Sequence, residues 1–182
     1  MKHLTQPVTA EELFRLSHDG VRRELVRGEV REMTPAGGQH GSTTGALHVI
    51  LGHFVRKRKL GRVFAAETGF IIERNPDTVR APDCAFVSAE RLPGPVPKKY
   101  LPFPPDLAVE TTSPNDRPGK IAEKVAAWLQ AGARLVWVLD PDERTLTVHR
   151  LGRPPRTLKT GEFLEGEEVV PGFQVAVAEL WA

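Results

Sequence analysis

Two acidic residues in this chain sit where burial penalises a charge, and chemistry is to be sought there first. Glu110 closes the run Leu107-Ala108-Val109, which reads as a strand buried on both faces. Asp83 follows a proline in Ala81-Pro82-Asp83-Cys84-Ala85-Phe86-Val87. An unpaired carboxylate at the end of a core strand costs on the order of several kcal/mol, so it must be paired, bonded to a metal or in use. Two carboxylates brought together repel unless a cation sits between them. A hard divalent ion with oxygen ligands, such as magnesium, meets that need, its shell completed by a backbone carbonyl and waters. It would stabilise developing charge as a Lewis acid and lower the pKa of bound water. A lysine nearby could then position or deprotonate an attacking water, or stabilise charge at phosphorus.

The elements that must hold these groups are legible around them. Pro105–Asp140 reads as an apolar strand, a turn, an amphipathic helix and a second apolar strand. At about 100° per residue, Ile121, Val125, Trp128 and Leu129 form the apolar arc of that helix. Glu123 lies opposite, Lys120 lies towards the polar side, and Lys124 stands at the rim beside Trp128. Lys124 is therefore the cation placed to lean back over the strand towards Glu110. Pro82 removes a ladder donor, which marks an edge, a strand beginning or a bulge, and bulges re-aim side chains. Thr112, two residues beyond Glu110, projects from the same strand face.

Before this unit, Thr9-Ala10-Glu11-Glu12 has capping-box spacing and should open a short helix ending near Asp19-Gly20. The next stretch reads as a hairpin turning at Arg27-Gly28. Glu24 lies in its first strand, either facing solvent or paired with a nearby arginine. A glycine-rich loop leads to a helix over His40–Lys59, stopped by Gly61. His40, at the entrance of that helix, is a further site candidate, whereas His48 and His53 read as surface or core-edge residues. The helix finishes with Arg56-Lys57-Arg58-Lys59, which suits the negative end of its dipole and equally a phosphate-contacting patch. Strands are expected over Val63–Glu73 and Val79–Val87. Arg91–Pro105, with six prolines, is a surface loop that exposes Lys98 and Lys99. Later strands are expected at Thr145–Arg150 and near Thr157–Leu158, Glu168–Val170 and Phe173–Val177. Arg150, Arg153 and Arg156 add a second basic segment.

At 182 residues, with no repeat and no clear linker, the chain is expected to form one α/β domain with a mixed sheet. A formal charge of +2 does not by itself indicate a nucleic-acid partner. One cysteine, Cys84, excludes an internal disulfide framework and reads as a small core residue in a reducing compartment. No apolar run approaches a membrane span and the start shows no signal-peptide core, so the cytoplasm is the default expectation.

At these residues the sequence resembles the Uma-type family of the PD-(D/E)XK restriction-endonuclease-like superfamily. The resemblance spans nearly the whole chain. It rests on the REL-x-x-GE hairpin, His40 before the first long helix, Pro82-Asp83, and Val109-Glu110-Thr111-Thr112-Ser113-Pro114. It continues through the Asp116…Lys124 spacing and the AGA-x-LVWVLDP stretch ending at Pro141. The resemblance implies a restriction-endonuclease-like α/β (α+β) core, a central mixed sheet flanked by helices with the site at one sheet edge. It implies that Asp83, Glu110 and the main-chain carbonyl of Thr111 bind the metal, Mg2+ or Mn2+. One position departs from the superfamily pattern: Thr112 stands where the E-x-K lysine belongs, and Lys124 matches the place to which the family has moved it. Trp128 matches a usual aromatic position, and Glu24 and His40 match family positions with supporting roles.

The expected function is metal-dependent hydrolysis of phosphodiester bonds in DNA, with Arg56, Lys57, Arg58, Lys59, Lys98, Lys99 and the Arg150–Arg156 segment on backbone phosphates. A homodimer would supply two sites for two strands. The rival expectation, favoured by Thr112, is a binding or regulatory module that keeps the fold without turnover. A phosphotransfer enzyme for small substrates is disfavoured, because Gly37-Gly38 lacks the lysine and hydroxyl residue of a phosphate loop.

Overall fold

The structure, a computed structural model, describes residues 7–16, 20–114 and 116–181. Thr9 and Glu12 form the expected reciprocal cap, with Glu12 N donating to Thr9 Oγ1 at 3.2 Å and Thr9 N to Glu12 Oε2 at 2.8 Å. They open α1 (Ala10–Leu16); the expected end of this helix near Asp19 lies outside the described residues. The hairpin β1 (Arg23–Val26) and β2 (Glu29–Glu32) turns through Arg27 and Gly28, both at positive φ, the left-handed pair that a two-residue hairpin loop requires.

Helix α2 (Gly38–Arg58) ends on Lys59 in the left-handed conformation. Gly61, expected to stop it, instead begins β3 (Gly61–Ala65), where an added Cβ would lie 2.1 Å from the Val87 carbonyl oxygen. The two long strands expected next are each broken, giving β4 (Phe70–Glu73), β5 (Thr78–Arg80) and β6 (Cys84–Ser88). They break because the chain changes sheets. β3 and β6 belong to a six-stranded sheet, and β4 and β5 to a four-stranded one. Ala81-Pro82-Asp83 is the return crossing, so the proline falls at a strand beginning, where its missing donor does no harm.

The remaining elements are β7 (Leu107–Thr111), α3 (Pro118–Ala131), β8 (Leu135–Asp140), β9 (Thr145–His149), β10 (Arg156–Leu158), β11 (Phe163–Glu165), β12 (Gln174–Ala176) and a 3-10 helix over Val177–Trp181. Glu168–Val170 forms turns rather than the expected strand, and Phe163–Glu165 pairs with β12 in its place. The six-stranded sheet runs β10-β9-β8-β7-β6-β3, antiparallel except for the parallel β7–β8 pair that α3 connects. The four-stranded sheet runs β2-β1-β5-β4.

Alternation sorts the larger sheet into two faces. Cys84, Val109 and Trp137 pack with Leu47, Leu51 and Val55 of α2, whereas Ala85, Ala108 and Val136 pack with Val125, Trp128 and Leu129 of α3. This is an α+β fold in which β7 is covered on both sides. Among the described residues no helix is long and apolar enough to cross a membrane.

Candidate active site

Glu110 follows Val109 on β7, so its side chain points to the α3 face, and it is 2% exposed. Its Oε2 accepts a hydrogen bond from Lys124 Nζ at 2.7 Å and its Oε1 one from Trp128 Nε1 at 2.8 Å. Lys124 and Trp128 are one helical turn apart on α3 and descend together onto the strand, as the helical wheel predicts. Pro118 in the first turn and Gly132 at positive φ delimit that helix. Burial pushes the Glu110 carboxyl above its ordinary value, against the pull of Lys124 and Trp128; the nearby charge of Asp83 adds to the rise. Burial works to lower the Lys124 pKa, but Glu110, with Glu24 and Asp83, outweighs it and holds the ammonium above its ordinary value.

Asp83 lies just before β6, where the ladder with β7 is ending. Its main-chain N donates to the Val109 carbonyl at 3.0 Å, and its Oδ2 accepts from Thr111 N at 2.8 Å. The carboxylate thus replaces a strand carbonyl in the plane of the sheet, beside the residue that follows Glu110. The expected position at a sheet edge is corrected: Glu110 stands in a central strand between β6 and β8, and the site is at the end of that strand. A crossover helix returns from there, which is why Lys124 is at hand.

The start of α2 closes the other side. His40 Nε2 lies 3.2 Å from Asp83 Oδ2, and one turn later the Thr44 and Thr111 hydroxyls are 2.8 Å apart. The bond to Asp83 raises the His40 pKa above its usual 6.5 despite partial burial, with smaller help from Asp116 and the Thr111 carbonyl. A raised folded-state pKa gives stability that is fully present below the unfolded value near 6.5 and lost as pH rises through the folded value. Metal-free protein should therefore lose thermal stability as pH rises above about 6.5, in a step that His40→Gln removes. Melting curves across that range check this, and identical profiles for the two proteins would refute it.

Glu24 does not face solvent. It is 3% exposed, accepts from Arg80 Nη1 at 3.1 Å through Oε2, and accepts from Ala81 N at 3.0 Å through Oε1. The arginine half of the expectation holds, and the reason is that β1 pairs with β5 rather than forming a free hairpin. Arg80 also donates to Glu123 Oε1 of α3 at 3.3 Å. Sequence reasoning missed Arg80, because one arginine after Val79 in a short strand looks like any surface cation. Glu24 bears on the site through the Ala81 amide, two residues before Asp83.

The basic residues do not form one patch. Arg58 lies over the Phe54 ring at 5.4 Å, away from Arg56 and Lys59, which line a cleft on another face of α2. Lys57, Lys98 and Lys99 are exposed. Arg150 pairs with Glu167 and Arg156 with Glu162, so the second basic segment is largely neutralised. Cys84 is buried with His48 Nδ1 3.6 Å from its sulfur, and burial pushes its thiol up to about 12, consistent with a core role.

Among the described residues no three His, Cys, Asp or Glu side chains gather closely enough to hold a metal ion by themselves. The implied donor set asks for less: two carboxylates and a carbonyl, with waters, which suits magnesium's habit of keeping much of its hydration shell. Asp83 Oδ2 lies 3.2 Å from His40 Nε2 and accepts from the amide of Thr111, and Thr111 directly follows Glu110 on β7. Oxygen donors of this kind are those a hard cation prefers. Thr112, at the usual lysine position, continues the strand by donating its N–H to the Leu139 carbonyl at 2.8 Å.

Comparison with known proteins agrees with this architecture. A crystal structure described as "a putative nuclease belonging to DUF820", from Anabaena variabilis ATCC 29413, superposes with a TM-score of 0.84 at 19% identity, covering 96% of this chain and 98% of that one. At that identity the likeness shows the fold. No curated protein matches the sequence. The model of the Uma2 family, described as "Putative restriction endonuclease", matches residues 10–178, and the chain belongs to that family.

Proposed function

We propose that this protein is a Mg2+-dependent (or Mn2+-dependent) endonuclease that hydrolyses phosphodiester bonds in DNA. The observation that carries the reading is the buried Lys124–Glu110 pair at the end of β7, with Asp83 fastened to the next residue of the same strand. Family membership and the nuclease description of the structural neighbour support it. Asp83, Glu110 and the Thr111 carbonyl would hold the metal, which when bound supplies Lewis-acid stabilisation and a more acidic water. Lys124, kept protonated by Glu110, brings a positive charge to the site where negative charge develops on the phosphate oxygens. Trp128 fixes the orientation of Glu110 and shields the pair from water. His40 holds the Asp83 carboxylate in place, and Glu24 steadies the segment leading to it. Exposed cations of the Arg56–Lys59 run, with Lys98 and Lys99, would meet backbone phosphates without reading bases. A homodimer would present two such sites to the two strands.

Asp83→Ala should abolish magnesium-stimulated cleavage of duplex or nicked DNA by purified protein, and undiminished cleavage would remove the assignment. A second reading, a binding module that has lost turnover, is favoured by Thr112 and by the fact that both Glu110 oxygens already accept protein hydrogen bonds. Calorimetric titration with magnesium or manganese separates the two: the enzyme binds the ion and Asp83→Ala does not, whereas the module takes up none.

A further inference from the structure

Away from the catalytic strand end, a cleft of about 700 Å³ opens between the later turns of α2 and β3. Arg56 and Lys59 line it from the helix end and Arg62 from the strand, with His48 and His53 along the helix. Its lining contains no acidic residue and no Phe, Tyr or Trp. Among the described residues no carboxylate lies in ion-pair range of Arg56, Lys59 or Arg62. Neutralising the helix dipole does not explain this arrangement, because Arg62 is on a strand and His53 precedes the last turn. Three permanent cations around one space, without a counter-charge, repel one another until a polyanion enters. The absence of aromatic surface removes the platform on which single-stranded bases stack. What remains is the chemistry of a sugar–phosphate backbone.

We propose that this cleft grips the backbone of one arm of a duplex DNA substrate, at a fixed distance from the bond that is cut; the proposal rests on the endonuclease reading. His40, which touches Asp83, and Arg56 are sixteen residues apart on α2, or about 24 Å along its axis at about 1.5 Å per residue. Along a DNA strand that is about seven nucleotide steps of about 3.4 Å each. Gly45 and Gly52 share the face of α2 with Arg56 and Lys59, and a Cβ added at either would meet open space. No side chain at those positions obstructs a backbone lying along the helix. The substrate is then a duplex with an arm of at least about seven base pairs on one side of the scissile phosphate.

The test is binding without metal, read as fluorescence anisotropy of labelled duplexes of about 5 and about 15 base pairs and of the corresponding single strands, over a salt series. Wild-type protein should bind the long duplex at least about tenfold more tightly than the short one. The combined change Arg56→Gln, Lys59→Gln and Arg62→Gln should remove that advantage and flatten the salt slope by about 3, since each lost phosphate contact contributes about 0.9. Unaltered melting of this variant would show that it folds, and single changes at each position should each flatten the slope by about 1. Equal affinity for both lengths, tighter binding of single strands, or an unchanged slope would each overturn the proposal. A parallel magnesium cleavage assay separates the two readings. A chain that grips long duplexes as described yet cuts nothing loses the endonuclease assignment and keeps the cleft, whereas one that cuts with no dependence on arm length loses the cleft alone.

Discussion

Lys124→Met should lower the magnesium-stimulated cleavage rate by about 10²- to 10³-fold, the usual consequence of removing one preorganised charge or donor from a reacting centre. The same change should lower folding stability by about 3 kcal/mol, because Glu110 is buried and would lose the cation paired with it. The two effects can be separated. Adding Glu110→Gln to Lys124→Met replaces the stranded carboxylate with a neutral amide that still accepts the Trp128 N–H. Much of the lost stability should return, and cleavage should not. Glu110→Gln alone should cost less stability, about 1–3 kcal/mol, because the Lys124 side chain is 23% exposed and can turn towards water. Denaturant midpoints for the four proteins, with initial cleavage rates on the same preparations, complete the cycle. Full activity in Lys124→Met would remove Lys124 from the mechanism and leave the pair a structural ion pair.

Arg80→Met should be among the most destabilising single changes in the molecule. Arg80 and Glu24 are each 5% exposed at the side chain, and the arginine joins β1 and β5 to Glu123 of α3. Removing it leaves the Glu24 carboxylate buried with the Ala81 amide as its remaining donor among the described residues, a loss of about 3–5 kcal/mol. In a chain of this size that corresponds to a fall in melting temperature on the order of 10 °C. Among the described residues Arg80 Nε is itself buried without a hydrogen-bond partner, so the network is already incompletely satisfied. The double variant Arg80→Met with Glu24→Gln should accordingly recover most of the stability. Thermal melts of the two single variants and the double one check this, and a melting temperature unmoved by Arg80→Met would show that Glu24 finds another partner. Cleavage should fall with Glu24→Ala, because Glu24 holds the amide two residues before Asp83.

The sequence by itself determined the strand–helix–strand unit around Glu110 and the identity of the lysine above it. The apolar run of β7, the helical spacing of Ile121, Val125 and Trp128, and the glycine closing α3 are local signals with fixed periods. Lys124 at the rim of the apolar arc follows from those periods alone. The reciprocal cap of α1 and the turn at Arg27-Gly28 were legible for the same reason, each being a constraint between near neighbours, whereas Pro82 left an edge, a strand beginning and a bulge all open.

Tertiary structure decided everything that depends on which strands become neighbours. Val63–Glu73 and Val79–Val87 read as continuous strands, and nothing within them says that each is divided between two sheets. That division sets Asp83 at the crossing, turns Glu24 inward against Arg80, and brings His40 over the end of β7. Whether a cation is free was equally illegible. Arg150 and Arg156 look as available in the sequence as Arg56 and Arg62, yet the first two fold against Glu167 and Glu162 and the last two face an open cleft. Pairing is a property of three-dimensional proximity. Hydrophobic periodicity encodes which side of an element is buried, and it carries no record of what that side will meet.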